Sequence, residues 1–306
     1  MGRGRRMFKT FLGRVTRVWC LSLLLVAVGA VTAEAAPFAY VTNLSSKTVS
    51  VIDTATNTVV ATVALGNCPN GVAITPDGAF AYVAAFHPDC PDHPPGALSV
   101  IDTATNTVVA TVPIGSPFWV AITPDGARAY VANNGSGNVV VIDTATNTVV
   151  AAVPVGGHIR GVAITPDGAF AYVTDPNLGT VSVIDTAINT VVATVTLPRS
   201  DLLAITPDGS RAYVTNFGGF GSVLVIDTAT NTVIATISVG DQRGPFGVAI
   251  TPDGAFAYVT TDTGAVVVID TDPLSPTYNT VVATVPVGIG PKGVAITPDG
   301  AFAYVT

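Results

Sequence analysis

Six copies of the phrase Ile-Thr-Pro-Asp-Gly, beginning at Ile74, Ile122, Ile164, Ile205, Ile250 and Ile296, divide the chain into units of about 44 residues. Two other phrases recur between them. Ala-Tyr-Val begins at Ala39, Ala81, Ala129, Ala171, Ala212, Ala257 and Ala303, and Val-Ile-Asp-Thr at Val51, Val100, Val141, Val183, Val225 and Val268. A period of about 40–50 residues made of short β-prone runs predicts a propeller. Repeats of this kind build a scaffold, so function has to be sought where the units differ.

The unit that begins at Gly161 reads as four strands. Gly161 to Thr165 is a short run of small and branched residues, strand a. Pro166-Asp167-Gly168 then turns the chain, with Pro presetting φ and Gly accepting a positive φ. Ala169 to Thr174 is strand b, and Thr180 to Ile184, rich in Val and Ile, is strand c. Asp185 to Asn189 is a second tight connection, and Thr190 to Val195 is strand d. The expected architecture is all-β, a propeller of four-stranded antiparallel blades.

The phrases Ala39-Tyr40-Val41-Thr42-Asn43, Val51-Ile52-Asp53-Thr54, Thr58-Val59-Val60-Ala61-Thr62-Val63 and Gly71-Val72-Ala73-Ile74-Thr75-Pro76-Asp77-Gly78 recur with small changes from Phe38 to Thr306. In them the chain resembles the YVTN family of β-propeller repeats, found in surface-layer-type and other exported proteins. The resemblance implies an architecture and carries no catalytic motif.

Counted along the chain there are six a strands, seven b, six c and six d, which is six blade-equivalents plus a spare b strand. Ring closure would set the last a strand, residues 293–297, beside the first b, c and d strands. Alternatively the ring has seven blades, as is usual in the family it resembles, and the sequence is a fragment that stops inside the last one.

Residues 1–35 read as a signal peptide, and residues 36–306 as one propeller domain. Arg3, Arg5, Arg6, Lys9, Arg14 and Arg17 form a basic leader, an apolar run follows from Trp19 to Val31, and Ala33-Glu34-Ala35 is a small-x-small cleavage site. The run is short for a bilayer span, which needs about 20 residues, although an uncleaved anchor is the other reading. Arg5-Arg6-Met7-Phe8-Lys9 faintly resembles a twin-arginine signal, so either export route fits. Without the leader the chain holds 7 Lys and Arg against 19 Asp and no Glu, a net charge of −12. Such a surface repels nucleic acid and anionic lipid, which excludes both as partners and leaves no membrane insertion after cleavage. The chain is expected in the periplasm, at the cell surface or outside the cell.

In an antiparallel blade the a–b and c–d turns share one face, and the b–c and d–a loops share the other. The first face carries the repeated Asp-containing turns, whose carboxylates suit turn amides. The second face is where the units diverge. Its longest insertion is Phe86-His87-Pro88-Asp89-Cys90-Pro91-Asp92-His93-Pro94-Pro95. Cys68 and Cys90 flank the hairpin built around Pro76-Asp77-Gly78, so a disulfide between them is expected in an exported chain. Cys20 falls in the leader. His87, Asp89, Asp92 and His93 form a candidate set of zinc or copper ligands, with a solvated polar loop as the other reading.

At the mouth of the channel, just before strand a, the six units place Asn70, Phe118, Arg160, Asp201, Phe246 and Lys292, with Trp119, Arg199, Asp241 and Arg243 nearby. Lys47 and His158 belong to the same face. Aromatic and cationic groups gathered on one rim suit an anionic or carbohydrate ligand, or a protein hot spot. The function this supports is an exported, non-enzymatic module that binds a protein or carbohydrate at the cell envelope and needs no cofactor. Two alternatives stand beside it. One is a lactonase- or lyase-type enzyme using Asp201, Asp241 and His158. The other is a purely structural repeat module of a larger surface-layer protein.

Overall fold

A computed structural model of the chain describes residues 38–86, 90, 95–217, 221–240 and 244–306. These residues form one compact unit, and no helix occurs among them. The 1–35 leader lies outside the described residues.

Each unit folds where its sequence pattern places it. In the fourth blade the strands are Val162–Ile164, Phe170–Asp175, Thr180–Asp185 and Thr190–Thr196, paired in that order and all antiparallel. The b–c register runs from Phe170↔Asp185 to Asp175↔Thr180. The c–d register slips by one residue between Val183 and Ile184, a bulge that recurs at the matching place in every blade that has strands c and d. Such a bulge adds local twist and steps the outer strand away from its neighbour.

Twenty-five strands are present among the described residues, six blade-equivalents and one extra b strand. Five sheets are complete: the second blade (69–113), third (117–154), fourth (162–196), fifth (203–238) and sixth (245–286). The first blade (38–64) holds strands b, c and d, and residues 294–305 hold a final a–b pair. The closure that sets the last a strand beside the first blade does not form. Val294–Ile296 instead pairs with the extra strand Ala303–Val305, with Val294 opposite Val305. The reason is local: the a–b hairpin is joined by its own tight turn, so its strands need only a short loop to meet.

The core lies between blades. Tyr172, Val181, Val183 and Val195 of the fourth blade meet Ala212, Val214 and Ile226 of the fifth in one buried cluster. The same two sets of positions meet at the first–second, second–third, third–fourth and fifth–sixth boundaries. Alternation in strands b and c explains this. Within each strand successive residues face opposite neighbours, Tyr172, Val181 and Val183 one and Ala171, Val173 and Ile184 the other, so both faces of a blade must be apolar. Strand d is outermost, and in Thr190–Thr196 only Val195 is buried.

Candidate functional site

On the turn face the repeated residues satisfy one another. In the fourth blade the Thr165 hydroxyl donates to Asp167 Oδ1 at 2.6 Å, Ala169 N–H donates to the same oxygen at 3.0 Å, and Phe170 N–H donates back to Thr165 Oγ1 at 3.0 Å. Gly168 sits at φ +76°, and a Cβ there would lie 3.4 Å from Pro124 Cδ of the preceding blade, so neighbouring turns approach closely. The Thr165 hydroxyl, with the Ala169 amide behind it, holds the Asp167 carboxyl below the usual carboxylate range. Thr75, Thr123 and Thr251 do the same for Asp77, Asp125 and Asp253. The c–d turns use Asp185 Oδ1 as acceptor for Ala187 N–H and place Asn189 at φ 53°. These aspartates belong to the turns.

On the opposite face the rim residues share a main-chain mooring and differ in their side chains. Thr42, Thr174, Thr215 and Thr260, at the ends of b strands, donate their hydroxyls to the carbonyls of Asn70, Asp201, Phe246 and Lys292 in the next unit. A backbone pinned in this way leaves the side chain at each rim position free to vary.

Two clusters result. Arg160 lies with its guanidinium 5.3 Å from the centre of the Phe118 ring and donates to Asp201 Oδ1 at 3.0 Å, linking three successive blades. Asp201 is buried at 3% exposure. Lys292 Nζ sits 3.2 Å from the centre of the Phe246 ring and 3.5 Å from Asp262 Oδ1. Phe217 packs against Phe246 itself, with the two ring centres 4.7 Å apart. Phe217 and Asp262 were not among the expected residues. Both sit in b–c loops, and no repeat pattern marks a loop residue as facing the rim.

The remaining rim candidates are placed less centrally. Trp119 turns toward Gly71 of the preceding blade, where a Cβ would lie 2.9 Å from the Trp119 Cα. The indole packs beside the core between the third and fourth blades. Asn70 has a buried side-chain nitrogen without a hydrogen-bond partner among the described residues. Arg199 is exposed, in a loop whose carbonyls at Pro198 and Arg199 the Asn216 amide reaches at 3.0 and 2.6 Å. His158 is exposed, its Nδ1 3.2 Å from Asn134 Oδ1, and Asp201 is engaged by Arg160. Arg243 and Asp241 lie outside the described residues.

Cys68 and Cys90 form a disulfide, with their Cα atoms 5.9 Å apart, and both are buried. The bond fits a non-reducing compartment. Asn67 adds a hydrogen bond to the Pro95 carbonyl at 2.8 Å, so the insertion is tied at its middle and at its end to the loop before the blade. His87, Asp89, Asp92 and His93 lie outside the described residues. Among the described residues no group of three or more His, Cys, Asp or Glu is arranged to hold a metal, and no helix is long and apolar enough to cross a membrane.

One departure from the repeat falls on the turn face, against the expectation that unusual residues collect on the other. The sixth c–d connection runs Asp270-Thr271-Asp272-Pro273-Leu274-Ser275-Pro276-Thr277-Tyr278-Asn279 where other units have Asp-Thr-Ala-Thr-Asn or, in the fourth, Asp185-Thr186-Ala187-Ile188-Asn189. It borders a cleft of about 290 Å³ with Asp208 and Arg211 of the fifth blade on one side and Asp253, Asp272, Pro273 and Tyr278 of its own blade on the other. The signal was present in the length of that connection.

Fold and rim together define a β-propeller of six blade-equivalents with a divergent loop face. No protein-family model matches the chain, and no curated protein matches it. Among solved structures it is similar to hydrazine synthase from Kuenenia stuttgartiensis, at 28% identity over 88% of this chain and 89% of that one, with a TM-score of 0.77. It is also similar in fold to a functionally unknown protein from Desulfotomaculum acetoxidans, at 18% identity over 87% and 84% of the two chains, with a TM-score of 0.68.

Proposed function

We propose that this protein is an exported, non-enzymatic propeller of the YVTN kind that binds a protein partner at the cell envelope through its channel-mouth face. The observation that carries the reading is the pair of rim clusters, Phe118–Arg160–Asp201 and Phe217–Phe246–Lys292–Asp262. Aromatic and Arg side chains braced by neighbours are the composition of interface anchors. One face of each ring at Phe118 and Phe246 already carries a cation, which leaves less open surface for stacking a sugar and favours protein over carbohydrate. The turn face supports the same division of labour, because its repeated carboxylates are occupied by their own backbone amides. The disulfide and the basic, then apolar, leader support export.

Site-specific photo-crosslinking in the native envelope tests this. A crosslinker at Phe246 should capture one defined partner that a crosslinker at Asp167, on the turn face, does not. Capture should fall at least tenfold with Lys292→Glu and Arg160→Glu together. Equal capture from both faces, or capture indifferent to the charge reversals, would remove the rim from this role.

A further inference from the structure

Around the ring a b-strand tyrosine donates to the asparagine of the next unit's c–d turn: Tyr40 to Asn106, Tyr82 to Asn147, Tyr130 to Asn189, Tyr172 to Asn231 and Tyr213 to Asn279. The bond holds each c–d turn against the blade before it. At the fifth–sixth boundary two departures from the repeat meet under that constraint. The sixth connection, Asp270 to Asn279, is ten residues long where the fifth, Asp227 to Asn231, has five. Strand b of the fifth blade opens on Arg211, where the fourth has Phe170 and the sixth Phe256. Arg128 holds the same position in the third blade, and the c–d turn beside it, Asp185 to Asn189, is short.

The insertion is a preformed wall. Asp270 Oδ2 accepts the hydroxyls of Ser275 and Thr277, and Asp272 Oδ1 accepts Leu274 N–H at 2.9 Å. Ser275 and Tyr278 N–H donate back to the carbonyls of Asp272 and Ser275 at 3.0 and 3.2 Å. Tyr278 hydrogen-bonds the hydroxyl of the buried Tyr213, so its ring is what it offers the cleft. A loop already ordered by its own bonds loses little freedom when a ligand binds.

Hydrogen-bonding capacity is left over in the cleft. Arg211 gives one guanidinium nitrogen to Asp227 at 2.8 Å and to the Ser210 carbonyl at 2.6 Å, while its Nε is buried without a partner among the described residues. Asp253 and Asp272 engage their own loops through Oδ1, and no hydrogen bond among the described residues reaches their Oδ2. Pro207, Pro273 and the Tyr278 ring add apolar wall.

The balance of these groups selects the ligand. Asp208, Asp253 and Asp272 stand against one arginine already paired to Asp227, so an anion is repelled. A cation suits the carboxylates and offers nothing to the Arg211 Nε–H. A hydroxyl serves both, because it accepts from an N–H and donates to a carboxylate. A volume of about 290 Å³ lies at the lower end for small-molecule sites, the size of a single sugar ring. We infer that the cleft between the fifth and sixth blades binds an uncharged hexose-type sugar, free or at the end of a glycan. Asp253, Asp272 and Arg211 are its polar contacts, and Tyr278 and Pro273 its apolar wall. The site lies on the turn face and stands independently of the rim.

Saturation-transfer NMR on the full protein, with glucose, mannose, galactose and N-acetylglucosamine as separate probes, tests this. At least one should bind with a Kd of about 1–10 mM. Asp272→Asn keeps the acceptor for Leu274 and replaces the outer oxygen, and Arg211→Lys keeps the charge beside Asp227 and removes Nε. Each should weaken binding about tenfold, as for loss of one charge-assisted hydrogen bond. Leu274→Ala, on the same loop and outside the cleft, should leave it unchanged. A methyl glycoside that binds as well as the free sugar identifies a glycan end as the ligand, and one that is excluded identifies the free sugar. No transfer from any of the four at about 50 mM, or transfer unchanged by both cleft substitutions, would overturn the inference. So would preferential binding of spermidine that Asp272→Asn abolishes, since the cleft would then be a cation site.

Discussion

The Tyr304 hydroxyl donates to Asn57 Oδ1 at 2.7 Å across 247 positions of sequence. The bond repeats, between the two ends of the domain, the link that joins Tyr172 to Asn231 at 2.7 Å between neighbouring blades. Among the described residues these two segments share no sheet, and the side-chain bond joins them. Each asparagine in the series adopts a left-handed conformation, φ 52–57°, which asparagine tolerates better than most residues. One residue type thus supplies both the turn and the acceptor.

Tyr172 separates the two contributions of this link. Tyr172→Phe keeps the ring and removes the bond to Asn231, and should cost about 1 kcal/mol. Tyr172→Ala empties a fully buried site and should cost about 3–5 kcal/mol. Chemical denaturation of the two variants checks the difference; equal losses would mean that the hydroxyl carries the effect.

The disulfide closes a loop between residues 22 apart. Cys90→Ser should lower stability by about 2–4 kcal/mol and release the insertion while the ring persists. Unchanged far-ultraviolet circular dichroism with faster proteolysis between 86 and 95 is the expected signature. Loss of the whole β spectrum would show that the bond holds more than the insertion.

At the rim, Arg160→Ala would leave the buried Asp201 carboxylate without its cation. With Arg160 partly exposed and screened by solvent, the loss should be about 1–2 kcal/mol. Because the two side chains share one interaction, Arg160→Ala with Asp201→Asn should cost less than the sum of the single changes. Additive losses in the cycle would dissolve the pair as an energetic unit.

Stability should have a plateau bounded on both sides by pH. Asp77, Asp125, Asp167 and Asp253 have folded values depressed from 3.8, so their contribution is present above that value and lost as pH falls through the lower, folded ones. Burial pushes Tyr82, Tyr130 and Tyr172 up from 10 to about 12, so their contribution is present below pH 10 and lost as pH rises toward 12. Tm measured across pH should be flat between about 5 and 9 and fall on both flanks. Tyrosinate absorbance from these three residues near pH 10 in the still-folded protein would contradict the alkaline limb.

The elements were readable because each relies on local chemistry. Strand c of the fourth blade, expected at 180–184, is found at Thr180–Asp185, and strand d, expected at 190–195, at Thr190–Thr196. The Cys68–Cys90 bond was also readable, because the 69–85 hairpin brings both flanks together. The rim was readable as a set of positions, and its pairing was not. Arg160 and Lys292 stood out as cations, while their neutralisation by Asp201 and Asp262 depends on how far one blade is rotated from the next. The sixth c–d insertion was visible in length, and the cleft beside it arises only when the fifth blade's Asp208 and Arg211 come alongside.

The sequence by itself determined the blade: period, strand order, turn chemistry and the two apolar faces follow from residues within about 44 positions of one another. Only the tertiary structure decided the ring. Whether the last a strand joins the first blade or its own b strand is a competition between a distant edge and a neighbouring one. The tight turn at Thr297-Pro298-Asp299-Gly300 settles it for the neighbour, with Gly300 N–H donating to Thr297 O at 2.8 Å and Asp299 holding Ala301 N–H at 3.0 Å. Closing a short loop costs far less chain entropy than closing one that spans the domain.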